Sequence, residues 1–192
     1  MGSRGLGGLS GMVMGSVSAA VVSHAHCPVV VVRGDNPVTE DTKYGPVVVG
    51  VDGSGVSQKA IEYAFAEASA RECELIAVHT WMDMQIQASL AGLSAAQQQW
   101  KIVEEEQNML LGHRLAGYAE RYPDVQVTRV VTRDRPVRAL VDAAKGAQLL
   151  VVGSHGRGGF KGMLLGSTSR ALLQSAPCPM MVVRPDSDAK AH

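Results

Sequence analysis

The chain has 192 residues, 46% hydrophobic and 19% charged, which suits one ordinary folded domain with an appendage. Lys plus Arg and Asp plus Glu both number 18, so the formal net charge is zero, and only 4% of residues are aromatic. That balance argues against nucleic acid as a partner, because it supplies neither a basic face nor stacking platforms. The apolar runs are strand-sized, so no membrane span is expected.

In chain order, residues 2–16 are glycine-rich, Ser16 to His24 reads as a short helix, and Pro28 to Arg33 as a buried strand. Residues 34–45 are polar and punctuated by Gly and Pro, the composition of a linker. Pro46 to Val51 is apolar on both faces, as central parallel strands are. Asp52-Gly-Ser-Gly55 turns that strand into a helix whose inner stripe is Ala60, Ile61, Ala64, Phe65 and Ala68. Leu75 to His79 is the second strand, and residues 82–93 form an irregular connection. A long helix from Ser94 to Tyr122 presents Trp100, Val103, Gln107, Leu110, Leu111, Leu115 and Tyr118 inward. Val125 to Thr132 is the third strand; Pro136 opens the next helix and Gly146 closes it. Leu149 to Val152 is the fourth strand, Pro179 to Val183 the fifth, and residues 186–192 a polar tail. The alternation of strand and helix predicts an α/β fold, an open five-stranded parallel sheet with right-handed crossovers.

Between the fourth strand and its helix lies Gly153 to Ser169, GSHGRGGFKGMLLGSTS. Its glycines let backbone approach a ligand closely, and Ser167, Thr168 and Ser169 fit a helix mouth, where free N–H groups favour an anion. No Gly-Lys-Ser/Thr ends the loop, so it is not a P-loop, and Lys161 stands where a dinucleotide fingerprint needs glycine. It matches Gly-x2-Gly-x9-Gly-Ser at Gly153, Gly156, Gly166 and Ser167. The pattern occurs twice: residues 2–33 align without gaps to residues 153–184, with 17 identities in 32 positions. Gly2, Gly5, Gly15 and Ser16 repeat the signature, and Cys27-Pro28 repeats Cys178-Pro179. A repeat at this distance is one domain long rather than a solenoid period.

The doubled signature resembles that of the ATP-binding universal stress proteins. The resemblance implies that residues 1–33 are the C-terminal end of one such domain, 34–45 a linker, and 46–185 a complete second domain, as in a shortened tandem protein. It implies a Rossmann-like strand order of 3-2-1-4-5, with ligand at the switch point between strands one and four, outside their carboxyl ends. There the backbone of Gly153, Ser154, His155, Gly156, Arg157, Gly158 and Gly159, with Gly166, Ser167, Thr168 and Ser169, would cradle the phosphates of ATP, with Mg2+ as a possible companion. Arg157 is either a phosphate partner or an exposed loop arginine. Asp52 is a ribose or adenine acceptor, a helix N-cap, or both, and Gly50 leaves room for the base. Asp83 and the Val78 backbone are weaker candidates at the base.

His155 reads as a loop residue rather than a general base, and His79 as a core histidine. The three cysteines, in no metal or CxxC spacing, read as reduced packing residues in a cytosol. No nucleophile–base pair or carboxylate pair emerges. The leading reading is therefore a cytoplasmic, nucleotide-dependent regulator that holds ATP with little or no hydrolysis. An adenine-nucleotide-using enzyme of the related α-hydrolase-like group, or a ligand-free dimerisation domain, are the alternatives. The apolar strand 28–33 is expected to pair antiparallel with residues 179–184, within one chain or across a homodimer.

Overall fold

The computed structural model describes residues 2, 15–33, 40–81, 93–156 and 164–185. The elements are α1 (Ser16–His24), β1 (Val29–Val31), α2 (Glu40–Lys43), β2 (Val47–Gly50), α3 (Gly55–Ala70), β3 (Leu75–Thr80), α4 (Leu93–Arg121), β4 (Val127–Thr132), α5 (Pro136–Ala143), β5 (Leu149–Gly153), α6 (Ser167–Ser175) and β6 (Met180–Val183). One turn of helix, α2, therefore lies inside the stretch that composition marks as a linker.

The sheet has six strands rather than five, in the order β1-β6-β5-β2-β3-β4. Five are parallel, and β1 is added antiparallel at the β6 edge. The runs of Val and Leu in β2 and β5 are buried throughout because helices cover both faces. On one face, Val47, Val49 and Val151 pack with Ile61 and Phe65 of α3 and Leu111 and Leu115 of α4. On the other, Val48, Leu150 and Val152 pack with Leu140 of α5 and Leu172 and Leu173 of α6. The Phe65 ring stacks between Tyr118 and Tyr122, 5.8 and 5.9 Å away, fastening α4 to α3. Leu110, which the spacing places inward, is 46% exposed. Its neighbour Leu111 takes the core position instead, because 3.6 residues per turn allow only one of two adjacent residues to face inward there. Among the described residues no helix is long and apolar enough to cross a membrane.

The N-terminal unit repeats the geometry of α6 and β6 and of the end of β5. The parallel bridge between Gly2 and Val32 is the counterpart of Gly153 beside Val183. Ser18 Oγ donates to the Gly2 carbonyl at 2.8 Å, as Ser169 Oγ donates to Gly153 at 2.7 Å. In the β1–β6 pairing, Val29 faces Val182, Val30 faces Met181 and Val31 faces Met180. Val30 and Met181 are themselves counterparts in the repeat, so the two units meet about a pseudo-twofold axis. Two arginines respect it: Arg33 donates to the Gln174 carbonyl at the end of α6, and Arg184 to Val22 near the end of α1. Cations there complement the negative ends of the helices.

The symmetry stops where the cover stops. Leu172 and Val183 are buried, at 0% and 1% exposure, whereas their counterparts Val21 and Val32 are 39% and 41% exposed. Cys178 is likewise buried but its counterpart Cys27 is exposed, so Cys27 is not the packing residue that the sequence predicts. Burial pushes the Cys178 thiol from 9.0 up to about 11, against a lesser opposing hydrogen bond from the Leu150 backbone.

Val31 is 2% exposed, so Val31→Asp should lower unfolding free energy by about 3 kcal/mol or more. Val32→Asp, one residue along and on the open face, should change it by about 0.5 kcal/mol or less, both read by urea denaturation. Because the folded Cys178 stays protonated to higher pH than the unfolded thiol, its contribution is complete below 9.0 and is lost as pH rises towards about 11. A loss on the order of 2 kcal/mol across that window, absent in Cys178→Ala, is the expected outcome in urea melts at several pH values.

Candidate functional site

A cavity of about 410 Å³ opens at the carboxyl ends of β2, β3 and β5. That volume suits a small molecule of nucleotide size. Its position follows from topology. β2 pairs with both β3 and β5, and its crossover runs over one face of the sheet while those into and out of β5 run over the other. The loops leaving β2 and β5 therefore diverge.

Asp52 ends β2 and lines one wall. Its Oδ1 accepts from Ser54 N–H at 2.9 Å and Ser54 Oγ–H at 2.8 Å. Gly53 takes a φ of 81° with the Arg114 guanidinium against it, a backbone that a side chain would strain. The N-cap of α3 is Ser54, whose Oγ accepts from Ser57 N–H at 3.2 Å. Asp52 is therefore not the cap, since Asp-Gly-Ser places the helix start two residues further on. Its carboxylate points instead to the opposite loop, where Oδ2 lies 2.5 Å from the position a Gly156 Cβ would take. The missing side chain at Gly156 is what lets the two loops meet.

The β5 loop is anchored from beneath. Ser154 N–H donates to Val183 at 2.7 Å, Gly166 N–H to Ser154 at 2.7 Å, and Ser169 Oγ–H to Gly153 at 2.7 Å. Gly153, His155, Gly156, Gly166, Ser167, Thr168 and Ser169 all line the cavity. Ser154 does not: it is fully buried, with its Oγ 2.8 Å from His155 Nδ1. Glycine at the N-cap of α6 provides no side-chain cap, so the first-turn N–H groups of that helix face the cavity mouth.

Gly50 and Val78 also line the cavity. A Cβ at Gly50 would lie 3.2–3.4 Å from the Leu140 methyls and Val152, so only glycine fits there without displacing them. The Val78 carbonyl accepts Val51 N–H at 2.9 Å within the sheet. Arg157, Gly158, Gly159 and Asp83 lie outside the described residues. Thr80, Asp134, Pro136 and Leu140 complete the wall and carry no motif by which sequence would single them out. Only the strand–turn–helix rhythm, with Pro136 at the helix start, places their loop at this end of the sheet. His79 is buried, with Nδ1 2.6 Å from the Val51 carbonyl and Nε2 3.0 Å from Gln107 Oε1, a core histidine that ties β2 to α4. Among the described residues no group of three or more His, Cys, Asp or Glu is placed to hold a metal ion.

An open α/β sheet with a loop-built crevice at its switch point defines a doubly wound α/β protein. The profile of the universal stress protein family matches residues 1–33 and 43–184, and the chain belongs to that family. It is 50% identical over 184 residues to universal stress protein Rv2005c of Mycobacterium tuberculosis (strain ATCC 25618 / H37Rv), covering 96% of this chain and 60% of that protein. A universal stress protein of Mycolicibacterium smegmatis (strain ATCC 700084 / mc(2)155) is 48% identical over 185 residues, again covering 96% and 60%. The chain thus spans about 60% of the length of these curated relatives. Among solved structures, the protein MJ0577 has the same fold, with a TM-score of 0.60 at 18% identity over 76% of this chain and 99% of its own. A universal stress protein in complex with cAMP matches with a TM-score of 0.50 at 26% identity, over 73% of this chain and 97% of that one.

With Ser54 as the N-cap of α3, Ser54→Ala should cost about 1 kcal/mol of stability. Asp52→Asn, which keeps an acceptor at Oδ1, should cost well under that in the same urea titration.

Proposed function

We propose that the chain binds an adenine nucleotide, ATP first, at the 410 Å³ cavity, and acts as a nucleotide-dependent regulator in the cytosol rather than as an enzyme of ordinary turnover. The observation that carries this reading is the contact of two loops: the Asp52 turn meets Gly156 of the signature loop across the crevice, above the mouth of α6. Peptide N–H groups of Gly153, Gly156 and Ser167 to Ser169 would hold the phosphates, with Gly166 turning the chain into α6, and the Asp52 carboxylate would accept from ribose hydroxyls. Among the described residues no Lys or Arg lines the cavity. Backbone dipoles and Mg2+ carried with the nucleotide would offset the phosphate charge, with Arg157, which lies outside the described residues, as the candidate side chain.

The cAMP carried by one structural relative is also an adenine nucleotide, which supports the ligand class. The Ser154–His155 pair is no obstacle to a binding role: the hydroxyl is fully buried and outside the cavity wall, where it cannot reach a ligand. The N-terminal unit, with its copied loop anchors and open face at Val21 and Val32, fits the end of a first domain in a tandem protein. The greater length of the curated relatives agrees with that.

Equilibrium titration with Mg-ATP is the direct test, and Gly156→Val should abolish binding by placing carbon against Asp52 and the phosphate path. Undiminished affinity in that variant would overturn the assignment. Phosphate release should remain far below the typical enzymatic turnover of about 10 per second. Release at that rate, lost in His155→Ala, would make the protein an enzyme.

A further inference from the structure

The cavity is polarised from one end to the other. The signature loop and the α6 mouth stand on the β5 side of β2, while Thr80 and Asp134 stand on the far side, at the ends of β3 and β4. From β5 to β4 is three strand spacings, about 14 Å, with Asp52 at the end of β2 between them. On the far side of Asp52 the lining includes the apolar Val78, Leu140 and Pro136, with Gly50 at the end of β2. A nucleotide with its phosphates at α6 and its ribose at Asp52 therefore lays its base on the apolar stretch, with the base edge towards Thr80 and Asp134.

Asp134, which lines that end of the cavity, is held by its own loop and by α5. Arg133 stacks on the Trp100 ring at 4.1 Å, and Pro136 fixes the first turn of α5. Asp134 Oδ1 accepts Arg135 N–H at 2.7 Å, and Arg138 Nε stands 3.6 Å from Oδ2. Each carboxylate oxygen has two lone pairs, so acceptor capacity remains on a side chain 31% exposed. The Val78 carbonyl accepts Val51 N–H within the sheet at 2.9 Å.

We infer that Asp134 is the base-selecting residue of this site, accepting a hydrogen bond from the exocyclic amine of a 6-aminopurine, with the Thr80 hydroxyl beside it. The inference rests on the nucleotide reading above. A 6-oxopurine turns a carbonyl oxygen towards the carboxylate, acceptor against acceptor, and binds worse. Asparagine at 134 keeps the shape but supplies a donor, so it accommodates both bases.

The test compares Mg-ATP with Mg-inosine triphosphate, which differ at that one group, by equilibrium titration of the whole chain and of Asp134→Asn and Thr80→Val. The unmodified protein should prefer ATP by about tenfold or more, a modest factor because the carboxylate is partly solvated. Asp134→Asn should bring the ratio close to one while the melting temperature without ligand stays near that of the parent. Thr80→Val should weaken ATP without reversing the preference. Equal affinity for the two nucleotides in the parent, or an unchanged ratio in Asp134→Asn, overturns the role of Asp134 and leaves the nucleotide reading standing. Failure of the parent to bind either one overturns both.

Discussion

The parallel pairing of β2 with β3 on one side and β5 on the other is the constraint on which the rest depends. A right-handed crossover from β2 carries α3 to one face, and the crossovers around β5 carry α5 and α6 to the other. The chain leaves the sheet in opposite directions at two adjacent strand ends, and the Asp52 carboxylate reaches the Gly156 backbone across the gap. The cavity is therefore a consequence of topology before it is a consequence of any binding residue. Burial of Val47 to Val49 and Leu149 to Val152 on both faces keeps those two strand ends in register.

Much of the polar chemistry around the crevice is internal. Ser54 caps α3, Ser57 Oγ accepts weakly from the Asp52 and Gly53 amides at 3.3 and 3.4 Å, and Ser169 ties α6 to Gly153. His79 holds the Val51 carbonyl from behind. Loops that must leave their amides towards solvent need such anchors, since a loop without them would spend much of its time in other conformations. Hydroxyls that look like ligand donors thus divide into anchors, such as buried Ser169, and groups at the cavity mouth, such as Ser167 and Thr168.

The N-terminal unit shows the same local code in a different setting. Its helix, its strand and its Ser18–Gly2 anchor form as their counterparts do, because the residues that make them are shared. Its antiparallel seat on β6 covers an edge that would otherwise present unpaired backbone groups. Burial differs between the copies wherever the second has a neighbour that the first lacks, as Val21 and Leu172 show.

Strands of unbroken Val and Leu, a helical stripe at Ala60 to Ala68, and glycines at a fixed spacing before Ser167 are properties of neighbouring residues, and periodicity made them legible. The parallel sheet and its two covered faces followed from them, while the strand order and the two loops at the switch point came from the resemblance to the stress-protein family. Residues remote in sequence were not legible in the same way. That Asp52 bonds Ser54 rather than capping the helix depends on which residue the α3 turn reaches first. Leu140 fills the space beside Gly50, and Leu110 turns outward while Leu111 turns in, only once α4 and α5 are packed on the sheet. Asp134 and Thr80 carry no pattern of their own, and they enter the cavity because strand order sets β3 and β4 beside β2. Sequence determines each element through interactions a few residues apart. Which elements become neighbours, and so which side chains share a cavity, is decided by the burial of both sheet faces at once.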